Sequence, residues 1–134
     1  MISVETFKRW VAAINRHDTI ALRGLMAPDH VFVDSLGNRM RGPATMQAGW
    51  QGYFAMCPDY WLRVDRMLSA DAEVLACGEA GGTIDGQPWH TPAAWRAVTR
   101  EDSVVEWHVF ADNKPVYEIL KKRQPNAFAA NLAR

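Results

Sequence analysis

The sequence predicts an α+β fold, with helices packed on one face of a curved, largely antiparallel sheet and a pocket enclosed between the layers. Three observations predict it. Before Cys57, apolar residues recur at helical spacing on either side of one short strand pair. From residue 60 to 111 the pattern changes to long alternating runs separated by turn formers. Within those runs, Asp85-Gly86 is a strong hairpin signal.

Each element has its own justification. Ser3 is placed to cap a first helix, with Glu5 in its first turn. Val4, Phe7, Trp10, Val11 and Ile14 then form one apolar face. His17 and Asp18 end that helix and begin a second, carried by Leu22, Leu25 and Met26 until Pro28 stops it. Residues 30–35 read as a strand and 38–42 as its return. Gly42-Pro43 opens a third helix with proline at the first helical position. Met46, Trp50, Tyr53 and Phe54 share one face of it, and Gly49 and Gly52 allow another backbone to come close. Cys57-Pro58 ends it.

Tyr60, Leu62, Val64 and Leu68 then alternate with Trp61, Arg63, Asp65 and Met67. "SADA" turns the chain into a strand through Val74 and Gly82, and the Asp85-Gly86 hairpin leads into a strand over 89–99. Pro92 marks an edge or a bulge there. "REDS" turns again into a last strand, 104–111, and Asp112-Asn113 with Pro115 starts a short C-terminal helix. The chain, 1–134, reads as one domain with a mobile tail at 124–134.

Lys plus Arg and Asp plus Glu both number 15, so the formal net charge is zero. That argues against a nucleic-acid partner, which needs a basic stripe, and is compatible with self-association. The opening "MISVETFKRW" has no apolar signal-peptide core, and no apolar run approaches membrane-spanning length, so a cytoplasmic protein with no membrane partner is expected. Cys57 and Cys77 form no CxxC or zinc spacing; they either pair or remain as two buried thiols. No GxGxxG, P-loop or GxSxG is present, and His90 and His108 lack metal-ligand partners, so neither cofactor nor metal is expected.

"HDTIALRGLMAPDHVFVDSLG" resembles the ketosteroid isomerase segment that enters the strand bearing the catalytic base. "VVEWHVFADNKPVYEIL" resembles the last strand of SnoaL-like cyclases, and "DGQPW" an isomerase hairpin. Over residues 3–122 the chain is similar to the NTF2-like superfamily, and within it to SnoaL-like polyketide cyclases and ketosteroid isomerases. The resemblance implies an NTF2-like cone: three helices on the concave face of a curved mixed or antiparallel sheet. It places Asp34 where isomerases keep a proton-shuttling aspartate. Trp10 falls at the oxyanion-hole tyrosine and Trp50 at its supporting tyrosine. The neutral acid of that hole falls near Ala94 or Trp95, and neither is an acid. Val109 stands where the cyclases and limonene epoxide hydrolases keep a catalytic aspartate, and Asp112 matches a later aspartate of that motif.

Asp34 therefore has two readings: an Asx-type turn in "DSLGN", or a base at the wall of an aromatic pocket, where apolar surroundings make a carboxylate a useful proton acceptor. Asp112 is either a helix N-cap or a second catalytic group. Trp10, Trp50, Tyr53, Phe54, Trp95, Trp107 and Val109 are candidate substrate-binding residues, by helical spacing on the first and third helices and by alternation on the strands. His90 is expected near the pocket mouth. Arg96, Arg100 and Glu101 read as a solvated strand end. His108 and Phe110 point away from the pocket, His108 toward a dimer partner or solvent, and the outer face they share is expected to form a homodimer. Two functions compete. One is a cofactor-independent enzyme acting on a small apolar, ring-containing carbonyl compound, an isomerase, cyclase or dehydratase type with Asp34 as general base. The other is a non-catalytic module that holds a small apolar molecule; an epoxide-hydrolase-like relative is a further alternative.

Overall fold

The computed structural model describes residues 2–123; the expected tail at 124–134 lies outside the described residues. The elements run α1 (Ile2–Arg16), α2 (Thr19–Leu25), β1 (Met26–Val33), β2 (Arg39–Arg41), α3 (Pro43–Met56), β3 (Trp61–Ala70), β4 (Glu73–Ile84), β5 (Gln87–Arg100), β6 (Ser103–Ala111) and α4 (Lys114–Arg123). One six-stranded curved sheet has the order β2-β1-β6-β5-β4-β3. Its neighbours are antiparallel except β1 and β6, which run parallel.

Alternation on β5 decides which face is buried. Trp89, Thr91, Ala93, Trp95, Ala97 and Thr99 all point inward and are buried, while the residues between them are exposed or half-exposed. α1 lies across β3, β4, β5 and β6 and seals that face with Phe7, Trp10, Ala13 and Ile14. α3 packs on β1 and β2 and α4 on β5, while α2 packs on α1 and α3, so the described residues form four helices rather than three.

Several expectations change. Ser3 is buried inside α1 and does not cap it. α2 ends at Leu25, before Pro28, which lies within β1 in a stretch where pairing to β6 is interrupted, a position that tolerates its missing N–H. Pro92 sits where β5 has run past the end of β6 (Ala93 pairs with Ala111), so its open side needs no donor. A register shift in β3 between Val64 and Arg66 inverts the alternation, turning Met67 toward the core and leaving Leu68 75% exposed. The bulge presses backbone onto Gly78, where a Cβ would lie 1.8 Å from the Arg63 carbonyl oxygen.

The outer sheet face is where Cys77 lies, free and exposed, whereas Cys57 is buried. His90 is also there, 3.1 Å from Glu79 and away from the cavity. Arg96 is not at a solvated end: it is held between Glu73 and Glu106. Arg100 pairs with Asp29 at 2.6 Å.

His30 is fully buried on β1 beside Trp10, with ring centroids 5.4 Å apart. Its Nδ1–H donates to the Val104 carbonyl (2.8 Å), so the neutral tautomer is the one that fits. Burial pushes its pKa below the ordinary 6.5, against the smaller opposing pulls of the Val104 carbonyl and Asp29. A histidine lowered in this way contributes stability that is complete above about pH 6.5 and lost as pH falls below it. Thermal melts should therefore drop between roughly pH 7 and pH 5 in the wild type. His30→Leu should flatten that slope at some cost in stability at neutral pH. An unchanged slope in the variant would assign the acid sensitivity to other groups.

Candidate functional site

A cavity of about 270 Å³ opens between α3 and the sheet. α3 contributes Met46, Gly49, Trp50 and Tyr53, spaced i, i+3, i+4, i+7 and so on one face. β5 contributes Trp89, Thr91, Ala93 and Trp95, and β6 contributes Trp107, Val109 and Ala111, alternate residues in both cases. Phe32 and Asp34 come from the end of β1, with Ser35 and Met40 following, Tyr60 precedes β3, and Asn113 precedes α4. Trp95 and Trp107 stack at 6.3 Å and 15°, giving the sheet side a flat aromatic floor.

Asp34 is half-buried and carries the one formal charge among the described residues that line the cavity. It is also a turn-maker. Its Oδ1 accepts from the Leu36 and Asn38 backbone N–H groups, both at 2.9 Å, and its Oδ2 accepts from Asn38 Nδ2 at 3.0 Å. The turn and pocket readings thus describe one residue: the hydrogen bonds that close the 34–38 loop hold the carboxylate at the cavity rim. Three accepted bonds leave lone pairs free, since a carboxylate has about four acceptor sites.

Not every candidate meets here. Trp50, Tyr53, Trp95, Trp107 and Val109 line the cavity, but Trp10 and Phe54 do not. Trp10 is fully buried one layer behind, packed on Trp50 (6.4 Å) and Trp107 (5.9 Å). Phe54 stacks face to face on His17, centroids 4.1 Å apart, on the other flank of α3. Asp112 is exposed, and its Oδ1 accepts from the Lys114 backbone N–H (3.0 Å) at the start of α4. It lies on an adjoining surface groove that shares Ser35, Ala111 and Asn113 with the cavity, which places the mouth at this rim.

Tyr60 and Trp89 escaped the sequence reading as site residues. Tyr60 owes its place to distant partners. His17 Nε2 donates to its carbonyl (2.7 Å), and Asn15 brackets Leu62 through paired bonds of 3.0 and 2.9 Å. Asp59 accepts from the Thr83 backbone (2.7 Å) and hydroxyl (2.8 Å), tying the 57–60 loop to β4. The Tyr60 ring then meets Tyr53 edge-on at 5.0 Å and stacks on Trp89 at 6.2 Å. Burial raises both phenols above the usual tyrosine value of 10, so each is a neutral O–H donor. Cys57, behind them, is pushed up by burial as well. The one available signal was alternation: Trp89 shares parity with Trp95.

Among the described residues no group of three or more His, Cys, Asp or Glu is placed to hold a metal ion, and no helix is long and apolar enough to cross a membrane.

Fold and site together define a cone-shaped α+β protein of the ketosteroid-isomerase-like NTF2 class, with an aromatic cavity between helices and sheet. The SnoaL-like domain profile matches residues 7–131, and the chain belongs to that family. A hypothetical protein with ketosteroid isomerase-like fold from Catenulispora acidiphila, solved in complex with trimethylamine, is 25% identical. The match covers 78% of this chain and 83% of that one, with a TM-score of 0.72. A protein from Shewanella denitrificans described as a SnoaL-like polyketide cyclase superposes with TM-score 0.79 over 90% of this chain and 98% of its own, at 15% identity. IdmH from Streptomyces antibioticus, likewise described as a polyketide cyclase, gives 0.72 over 83% and 92% at 22% identity. Both show the shared fold alone. No curated protein matches this chain.

Proposed function

We propose that the protein is a cofactor-independent enzyme acting on a small apolar, ring-containing carbonyl compound, with Asp34 as general base. The observation that carries this reading is the single carboxylate set at the rim of a cavity otherwise lined by rings, aliphatic groups and neutral polar side chains. Flat rings suit the Trp95–Trp107 floor. Asp34 takes a proton from the carbon beside the carbonyl, leaving an enolate. Returning that proton to another carbon completes an isomerisation, and attack of the enolate carbon on a second carbonyl of the same molecule completes a cyclisation, with the proton passing to the new alkoxide. The test is exchange of α-protons of ring ketones, such as tetralones and steroid enones, in deuterated water, followed by NMR. Protein-dependent exchange is expected; its absence across ring ketones that bind would leave the competing reading, a module that holds an apolar molecule without chemistry. That reading draws support from the commitment of both Asp34 oxygens to the 34–38 loop.

The partner we infer is a second copy, met through the outer sheet face. Leu68, Leu75, Arg96 and His108 sit opposite one another across four strands there, with Phe110 stacked on His108 at 4.1 Å. Leu75 and Phe110 are 47% and 48% exposed. The charges of this face are already paired, Arg96 with Glu73 and Glu106 and Arg63 with Asp65 and Glu79, so two copies meet without net repulsion. Light scattering at micromolar concentration should show a dimer, and Phe110→Glu a monomer; a monomeric wild type would count against it. The free, exposed Cys77 suits a reducing, cytoplasmic setting.

A further inference from the structure

The cavity has two unlike ends. Asp34 stands at the mouth, an acceptor when ionised, beside Ser35, whose Oγ accepts from the Ala111 backbone N–H at 3.2 Å. Tyr53 and Tyr60 stand at the other end. That end is closed by a second apolar cluster in which Val116 and Ile119 of α4 pack with Cys57, Ile84 and Trp89, against Tyr53 and Tyr60. β5 measures the separation. Ala93 lies opposite Ala111 at the mouth and Trp89, under Tyr60, lies four residues away, or about 13 Å along an extended strand.

The polar atoms at the closed end can be assigned one by one. The Trp89 indole N–H is sealed from solvent and makes no hydrogen bond. The two tyrosine hydroxyls differ. Neither is among the sealed, partnerless side-chain atoms of the interior, and among the described residues no hydrogen bond occupies either one. Their rings are fixed by mutual contact and by Trp89, so the hydroxyls are preset rather than free to search. Both tyrosines line the cavity, and buried phenols held protonated offer O–H bonds to an acceptor that enters it.

Resting on the reading of this cavity as a ligand site, we propose that Tyr53 and Tyr60 select the substrate class: an elongated, flat ring compound whose leading end carries a carbonyl oxygen for the two phenols, and whose trailing end places its proton-bearing group against Asp34. The tyrosines are positioning residues. They act by fixing which atom of a long substrate comes to rest at the mouth. A ring compound with no oxygen at its leading end gains from the aromatic walls alone.

Two isosteric probes isolate the effect. In 2-acetylnaphthalene a carbonyl oxygen occupies the place that a methylene group takes in 2-isopropenylnaphthalene, with the ring unchanged. Quenching of tryptophan fluorescence gives both affinities. The wild type should prefer the acetyl probe about tenfold, and each of Tyr53→Phe and Tyr60→Phe should reduce that preference about threefold. The double variant should abolish it while still binding the isopropenyl probe as the wild type does. Asp34→Asn should leave the acetyl preference intact and lose the extra affinity that 6-acetyl-2-naphthol gains from its hydroxyl at the mouth. Equal affinity of the wild type for the two isosteres overturns the proposal, as does a tyrosine variant that weakens both equally. Failure of every naphthyl probe to bind overturns the cavity reading and the proposal together. Acyl preference without proton exchange on any ring ketone upholds this assignment and removes the catalytic one.

Discussion

Asp34→Asn is expected to lower turnover by about two to four orders of magnitude on any substrate that the wild type converts, while leaving the fold intact. The size follows from the role, since loss of a positioned base removes the proton acceptor from the transition state. The structural neutrality follows from the loop. Asparagine keeps an oxygen for the Leu36 and Asn38 backbone donors, and Asn38 can turn its side-chain amide to present oxygen to the new NH₂ group. Asp34→Ala is the poorer experiment, because it opens the 34–38 turn along with the site. The measurements are steady-state turnover and a thermal melt on the same preparation. Near-wild-type turnover in a folded Asp34→Asn would move the chemistry elsewhere. Asp112 would then be the next residue to change, although its exposed carboxylate is engaged by the Lys114 N–H.

Trp10→Ala should be the most destabilising single change among the candidate residues, costing about 3–5 kcal/mol. For a domain of this size that lowers the melting temperature by roughly ten degrees or more. Trp10 is fully buried and touches His30, Trp50 and Trp107, so truncation leaves a void beneath two cavity-lining indoles. The discriminating variant is Trp10→Phe. It keeps a ring in place, and since Trp10 does not reach the cavity, it should bind an aromatic ligand within about twofold of wild type. A folded Trp10→Phe with tenfold weaker binding would put the indole in contact with ligand and contradict the layered arrangement.

Trp10 also shows where sequence reasoning about a site stops. Helical spacing put its side chain on the inward face of α1, and that held: it is fully buried. Spacing reports the direction of a side chain and not the distance to the first empty space, and α1 lies flush on the sheet while α3 stands off from it. Trp50, on α3, therefore reaches the cavity, and Trp10 fills the layer behind. Phe54 is the same case on the far flank of α3.

The elements themselves were legible because each has a local cause. Asp18 accepts from the Ala21 N–H at 3.0 Å and starts α2. Pro43 starts α3 from Gly42, whose φ of 98° no β-branched residue would adopt readily. Asp85 and Gly86, both with positive φ, turn β4 into β5. Period-two burial on β5 and the placement of Asp34 at the end of β1 follow from the chain alone. So does the family membership, through motifs contiguous in sequence.

Tertiary structure decided what depends on register and on partners remote in the chain. The β3 bulge, which inverts Met67 and Leu68, arises opposite Gly78, a residue with no Cβ to resist the Arg63 carbonyl. The parallel pairing of β1 with β6 joins segments more than seventy residues apart and brings Asp34 and Asn113 to one rim. Tyr60 looked like one more member of an alternating strand. Hydrogen bonds from Asn15 and His17 to the start of β3, together with the Asp59–Thr83 bonds, set its ring between Tyr53 and Trp89 at the closed end of the cavity. Local pattern determines backbone state and facing, because those energies are settled within a few residues. The position of a side chain in a cavity is the sum of several long-range contacts, and none of these leaves a mark in the sequence near the residue it places.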